Sequence, residues 1–272
     1  MKQTMSEGRS SAVLRRNNVR IKGTTGRTIV FAHGFGCDQT VWRRVAPAFE
    51  NDFRTVTFDH VGAGDSSTTA YDPEKYASLD GYVQDLLDMC KALDLRQAVY
   101  VGHSVSAMIG LLASIREPDV FESLVLIGPS PRYINDGDYV GGFTPSDMDE
   151  LFLTLDENFF AWTASMAPVI MNNPERPVLA SELANSFCRL DPTIAKQFAR
   201  VTFLSDCRHQ LKLLRVPSLI LQCRDDAIAP LEVGHYMHQN MQASVLRIMA
   251  AEGHCPHMSA PDETIAAIRS FL

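Results

Sequence analysis

No stretch of the 272 residues reaches the roughly 18 consecutive apolar positions that a membrane span requires, so no spanning helix is expected. Basic charge is also scarce. Lys and Arg total 25 against 32 Asp and Glu, a net charge of -7, which argues against a nucleic-acid or anionic-membrane surface. The basic residues of the N-terminal arm (Arg9, Arg15, Arg16, Arg20, Lys22) are spread out and read as solvated. There is no CxxC pair. The six cysteines (Cys37, Cys90, Cys188, Cys207, Cys223, Cys255) lie far apart and read as free thiols, mostly small core residues. The segment Met1 to Ala12 is polar and lacks the apolar core of a secretory signal, so a cytoplasmic protein is expected. What the chain does have is apolar content. At 46% hydrophobic and 21% charged it is no disordered tail, and its length suits one large α/β domain or two small ones.

Two brief β-like runs, Ala12–Arg16 and Val19–Lys22, come first. Short apolar or β-branched runs then alternate with helical stretches: Thr28–Ala32, Arg54–Asp59, Ala98–Gly102, Ser123–Gly128, Pro217–Cys223 and Ser244–Met249. Near-continuous apolar strands imply burial on both faces, hence a mostly parallel sheet with helices on both sides. The clearest helix runs from Ser78 to Leu93, with Leu79, Tyr82, Val83, Leu86, Cys90 and Leu93 on one side. Tyr133 to Leu214 breaks the rhythm. It contains no strand and is punctuated by Pro145, Pro168, Pro174, Pro177 and Pro192. Eighty residues exceed a simple crossover and read as an inserted helical cap at the C-terminal edge of the sheet, where open α/β folds bind ligands. The expected division is a core over 1–132, a cap over 133–214 and the rest of the core over 215–272.

The sharpest local signal is Val99-Tyr100-Val101-Gly102-His103-Ser104-Val105-Ser106, an apolar strand ending at a glycine with a helix starting just after Ser104. This is a nucleophile elbow, which lifts one side chain above the sheet at a helix N-terminus. The usual pattern is G-x-S-x-G. Ser106 takes the last position as a nearly minimal side chain; an ordinary helix start capped by Ser104 is the plain alternative. A serine nucleophile needs a base and an orienting acid, which follow in the order Ser, Asp or Glu, His. A strand running into Asp225-Asp226 supplies the acid, with Asp226 preferred and Asp225 read as helix-capping. Gly253-His254, on the loop after the final strand, supplies the base; His257 reads as a structural hydrogen-bonder. The Ala32-His33-Gly34-Phe35-Gly36 turn offers backbone donors for an oxyanion, the N–H of Phe35 pairing with that of Val105. His33 and His103 read as buried hydrogen-bonding residues. Asp59-His60-Val61-Gly62-Ala63-Gly64-Asp65 lacks the lysine and spacing of a phosphate loop and reads as a tight turn at the pocket rim. Neither His254, Cys255 and His257 nor His235 and His238 find a fourth ligand at a sensible spacing, so no metal is expected.

Taken in order, these segments resemble the α/β-hydrolase superfamily. At finer grain, His33-Gly34-Phe35-Gly36-Cys37-Asp38-Gln39, Asp59-His60-Val61-Gly62-Ala63-Gly64 and Gly102-His103-Ser104-Val105-Ser106-Ala107-Met108 are similar to the RsbQ-type bacterial stress regulators. Plant butenolide receptors for karrikin and strigolactone share the pattern. Ser130-Pro131-Arg132-Tyr133, Gly141-Gly142-Phe143 and Gly253-His254-Cys255-Pro256-His257-Met258 extend it, the last leaning to the bacterial branch. The resemblance implies a V-shaped cap of four helices over a hydrophobic cavity, with Ser104, Asp226 and His254 as the triad and no metal or organic cofactor. It also implies a small hydrophobic ester or lactone ligand and, in bacterial members, a PAS-domain signalling partner. Phe143, Trp162, Phe187 and Phe203 of the cap are the expected cavity wall, with Phe35 and Val105 below. A dehalogenase or epoxide hydrolase would need a carboxylate in place of Ser104; a cofactor-free haloperoxidase shares the serine triad, and only an assay separates it.

Overall fold

The computed structural model describes residues 10–23 and 26–272. Arg9 and the rest of the polar start before residue 10 lie outside the described residues. Seven strands form one sheet: β1 (Arg20–Lys22), β2 (Thr28–Ala32), β3 (Arg54–Phe58), β4 (Ala98–His103), β5 (Phe121–Ile127), β6 (Ser218–Cys223) and β7 (Ser244–Met249). Their spatial order is β1-β3-β2-β4-β5-β6-β7, with β1 antiparallel to β3 and every other pairing parallel. In the middle of the sheet the side chains alternate between two cores. Ile29, Phe31, Val99 and Val101 face one side, and Val30, Ala32, Ala98 and Tyr100 the other. That is the burial on both faces that their unbroken apolar runs foretell.

The two outermost strands depart from it. Among the described residues β7 pairs with β6 alone and leaves Val245 and Ile248 half exposed, and β1 is exposed along its length. An apolar run at a sheet edge looks the same in sequence as one at its centre. Ala12–Arg16 is not β-like: residues 10–16 form a helix, α1. Ala, Leu and Arg are all good helix formers, and Val13 and Leu14 pack against the second core. Arg16 is not solvated either, since it reaches buried Asp85 at 3.0 Å.

The remaining helices are α2 (Leu79–Ala92), α3 (Val105–Arg116), α4 (Pro145–Glu157), α5 (Phe159–Met171), α6 (Pro177–Phe187), α7 (Pro192–Phe203), α8 (Leu231–Asn240), α9 (Pro256–Ser259) and α10 (Pro261–Phe271). Ser78 caps α2 through the Asp80 N–H, as its position before the apolar periodicity suggests. Helices α2, α3 and α8 cover one face of the sheet; α10 and two 3-10 turns (Gln39–Arg44, Ala46–Phe49) cover the other. Helices α4 to α7 lie between β5 and β6, and three of them begin with a proline at the first helical position, where its missing N–H costs nothing. Glu182 of α6 meets both Arg43 and Arg44, at 2.6 and 2.8 Å, which holds its carboxyl down at about 2. Asp38, at the end of the loop after β2, pairs with Arg189 just past the same helix.

Candidate active site

The β4–α3 turn is built to raise one side chain. Ser104 sits at φ 57 and ψ -125, a region that costs a non-glycine residue about 1–3 kcal/mol and is held only where the surroundings demand it. Gly102 must lack a side chain, because a Cβ there would come within 2.6 Å of the Ser106 carbonyl oxygen. At the far end of the sheet, Asp226 follows β6 and His254 follows β7, so three strand ends deliver three side chains to one point.

They meet in hydrogen-bonded series. Ser104 Oγ lies 2.8 Å from His254 Nε2, and His254 Nδ1 lies 2.8 Å from Asp226 Oδ2. A carboxylate only accepts, so Nδ1 carries the ring proton and Nε2 is free to accept from the serine hydroxyl. Asp226 Oδ1 accepts from the N–H groups of Ile228 and Ala229 at 2.8 and 3.0 Å, which compensates a carboxylate whose side chain is fully buried. It caps no helix, since α8 begins after Pro230; the Asp225 side chain is exposed and caps none either. The backbone of His254 is held on both sides. Its N–H donates to the Ile170 carbonyl at the end of α5, and its carbonyl accepts from His103 Nε2 at 2.9 Å. Gly253 makes that approach possible, with φ 78 and the Met171 carbonyl 2.0 Å from where a Cβ would stand.

Among the described residues, the Phe35 N–H finds no acceptor within the chain. Val105 is the first residue of α3, whose N–H has no helical partner either. These are the two donors that the glycine-rich turn and the elbow make available near Ser104.

An apolar cavity opens over the serine. Phe35, Trp162, Phe187 and Phe203 line it with Met166, Ile170, Leu183 and Ile228, and its free volume is about 30 Å³, room for about one water molecule. The rings fill it themselves: Phe35 lies 5.3 Å from Phe187 and Trp162 lies 5.6 Å from Phe187, both edge-to-face. Phe143 stands outside the cavity. It leans edge-on against Phe203 at 6.0 Å and faces a surface groove between α4 and α5. Sequence reasoning missed Tyr133 and Thr202, which line the cavity with buried hydroxyls that have no partner among the described residues. Tyr133 ends the Ser130-Pro131-Arg132-Tyr133 segment, which gives no sign of its place over Ser104, Thr202 lies in no motif, and only the folded chain brings the two to the cavity. Two thiols, Cys37 and Cys255, also line the cavity, but burial pushes Cys37 up to about 12 and Cys255 well above its ordinary value. Both are protonated at neutral pH.

The glycine-rich turn after β3 does not line this cavity. It wraps the Asp59 carboxylate, which accepts from the Gln39 and Asp65 N–H groups at 2.8 and 3.0 Å, while Gly62 packs on Ile194 of α7. Among the described residues no group of three or more His, Cys, Asp or Glu side chains could hold a metal ion, and no helix is long and apolar enough to cross a membrane.

His257 is not the hydrogen-bonder its sequence context suggests. Neither ring nitrogen has a partner among the described residues, and the ring packs at a tilt between Trp42 at 4.6 Å and His103 at 4.4 Å. Burial, with His254 and His33 nearby, holds its pKa down to about 3. Between about pH 6.5 and 3 the unfolded chain therefore binds a proton that the folded chain refuses. Its stabilising contribution is full above that window and declines as pH falls through it, by up to about 1.4 kcal/mol per pH unit. Burial shifts His60 and His103 in the same direction. Scanning calorimetry is expected to show the melting temperature falling steadily from neutral pH into the acid range, with a shallower slope for His257→Phe. An unchanged slope in that variant would contradict the assignment.

The class of protein now follows from comparison as well as geometry. The Alpha/beta hydrolase family profile matches residues 29–267, and the chain belongs to that family. Within it, the chain is 40% identical over 253 residues to the Karrikin insensitive 2 receptor CA of Petunia hybrida, covering 93% of this chain and 94% of that one. It is 38% identical over 261 residues to the Strigolactone esterase D14 of Arabidopsis thaliana, covering 96% and 97%. A solved hydrolase from Oleispira antarctica superposes with a TM-score of 0.94 at 40% identity, covering 96% of each chain. The protein is thus a hydrolase of the group that contains the karrikin and strigolactone receptors.

Proposed function

We propose that this hydrolase cleaves small apolar esters or lactones through a covalent acyl-serine. Ser104 Oγ attacks the carbonyl carbon while its proton passes to His254 Nε2. Asp226 holds His254 in the required tautomer and stabilises the imidazolium that forms. The N–H groups of Phe35 and Val105 receive the oxyanion, each such donor typically contributing about 3 kcal/mol to the transition state. Collapse expels the alkoxide, which takes the proton from His254; water activated by the same nitrogen then releases the acid. Residues 133–214 act as the cap over a core of residues 1–132 and 215–272.

The single observation that carries the reading is the Ser104–His254–Asp226 series, 2.8 Å at each link, at the floor of an apolar cavity. The lining supports an apolar acyl or alcohol part, because among the described residues no charged side chain other than the triad's own faces it. Its small free volume supports a small one. A butenolide ring is such a group, and relatives at this level of identity are named a Karrikin insensitive 2 receptor and a Strigolactone esterase. Turnover of p-nitrophenyl acetate is expected, with kcat/KM for the octanoyl ester lower by about tenfold or more, the scale on which closed pockets penalise misfit. Equal turnover of both esters would contradict the small enclosed site.

A ligand-sensing regulator with slow hydrolysis, acting through a PAS-domain or other protein partner, is the second reading. The receptor names of the relatives favour it, together with exposed apolar side chains on the cap, Phe160 and Val178 among them. Co-purification of a partner only in the presence of a butenolide would support it; fast turnover without any partner would count against it. A cytoplasmic location fits six cysteines of which none is bridged, five buried and Cys188 exposed.

A further inference from the structure

Two buried histidines and one buried serine outside the triad form a closed hydrogen-bond circuit beside the loop that carries the Phe35 N–H. His33 follows β2, His60 follows β3 and Ser106 is the second residue of α3; all three are almost wholly buried. The His60 backbone N–H donates to His33 Nε2 at 3.1 Å. Because that nitrogen accepts, the His33 ring proton sits on Nδ1, which lies 2.9 Å from the Gly34 carbonyl oxygen and donates to it. The Ser106 hydroxyl donates to the His33 carbonyl, so toward His60 Nε2, 2.7 Å away, it acts as acceptor. His60 therefore carries its proton on Nε2. Burial lowers its pKa well below the ordinary histidine value and keeps the ring neutral.

This circuit governs the orientation of one peptide group. The Phe35 N–H belongs to the same planar trans peptide as the Gly34 carbonyl, so the two point in opposite directions. The His33 ring and the Cys37 N–H, the latter at 3.3 Å, hold that carbonyl facing away from the site. Ser106 holds the preceding carbonyl, that of His33, and so anchors the peptide next to this one to a helix. The same helix supplies the other donor, since Val105 is the neighbour of Ser106. One hydroxyl thereby ties the loop bearing one oxyanion donor to the helix bearing the other.

We propose that Ser106, with His60 and His33, is a positioning device that sets the Phe35 N–H relative to the Val105 N–H and thereby tunes transition-state binding. The proposal rests on Ser104 being the nucleophile. It also accounts for a serine where elbows usually carry glycine: without the hydroxyl, the His33 carbonyl and His60 Nε2 both lose their partner. Ser106 touches no reacting atom, so its signature is a split between kcat and KM.

The test compares Ser106→Ala and Ser106→Gly with the parent enzyme, glycine being the residue that other elbows tolerate at this position. For p-nitrophenyl acetate, kcat is expected to fall about tenfold or more, short of the 10²–10³ that deleting a donor costs, with KM within about twofold of the parent. An aryl trifluoromethyl ketone, which adds to Ser104 to form a tetrahedral oxyanion, is expected to lose affinity by the same factor as kcat/KM. Its alcohol counterpart, which forms no oxyanion, is expected to bind unchanged. Unchanged kcat and ketone affinity in a folded variant would overturn the proposal, and so would equal weakening of ketone and alcohol, which marks a disturbed cavity. Ester turnover that survives Ser104→Ala would instead overturn the nucleophile assignment itself, and the two failures are told apart by that control.

Discussion

Ser104→Ala is expected to lower turnover of p-nitrophenyl acetate by at least about 10³-fold while the protein stays folded. The size follows from what is removed: no other side chain at the site both lies against His254 Nε2 and can take an acyl group at neutral pH. Cys37 and Cys255 are held protonated by burial, and Tyr133, raised by burial as well, is no nucleophile either. Residual rate comes from the two backbone donors and the cavity, which the substitution leaves in place. The fold survives because alanine meets the same backbone strain at φ 57 as serine does, and the lost hydroxyl makes one hydrogen bond, a cost of about 1 kcal/mol. Activity in the alanine variant within tenfold of the parent would end the account of the mechanism.

Asp226→Asn is expected to cost about 10⁴-fold in kcat, through a proton on the wrong nitrogen. Oδ1 of Asp226 already accepts from two backbone N–H groups, so the amide oxygen of asparagine is drawn to that side. The amide nitrogen then faces His254 Nδ1 and must donate to it. The ring proton moves to Nε2, where it blocks acceptance from Ser104. The opposite flip would set an NH₂ group against two buried N–H donors, which is costlier still. Stability is expected to change far less than rate, because shape and most contacts persist. A pH-rate profile of the variant distinguishes this from simple loss of structure. The remaining activity is expected to rise with pH as hydroxide replaces the missing base, whereas partial unfolding predicts the parent's profile at reduced height.

Much of the site was legible in the sequence because each of its parts ends a strand. The strand runs that lead to Ser104, Asp226 and His254 are mostly apolar, so the ends of β4, β6 and β7 are readable to within about a residue. What escaped was whatever depends on neighbours distant in the chain. Residues 10–16 hold three apolar side chains that suit either a strand or a helix turn, and packing of Val13 and Leu14 on the second core decides for the helix. β7 reads as buried on both faces, yet nothing in Ser244–Met249 says that no strand lies beyond it. Phe143 has the composition of a cavity wall and stands outside it, while Tyr133 and Thr202 stand inside with nothing in their sequence context to point them there. Ser106 looked like a small residue admitted by a tight turn. Its partners, His33 and His60, lie 73 and 46 positions away in the chain, and only the sheet order brings them together.

The central claim is that an acyl group passes through the oxygen of Ser104. Intact-protein mass spectrometry of acid-quenched enzyme during p-nitrophenyl acetate turnover tests it most directly, with peptide mapping of the product. The account predicts one acetyl group per chain, mapped to Ser104 and missing from the alanine variant. No adduct during active turnover, or an acetyl group mapped to Cys37 or Cys255 instead, would contradict it.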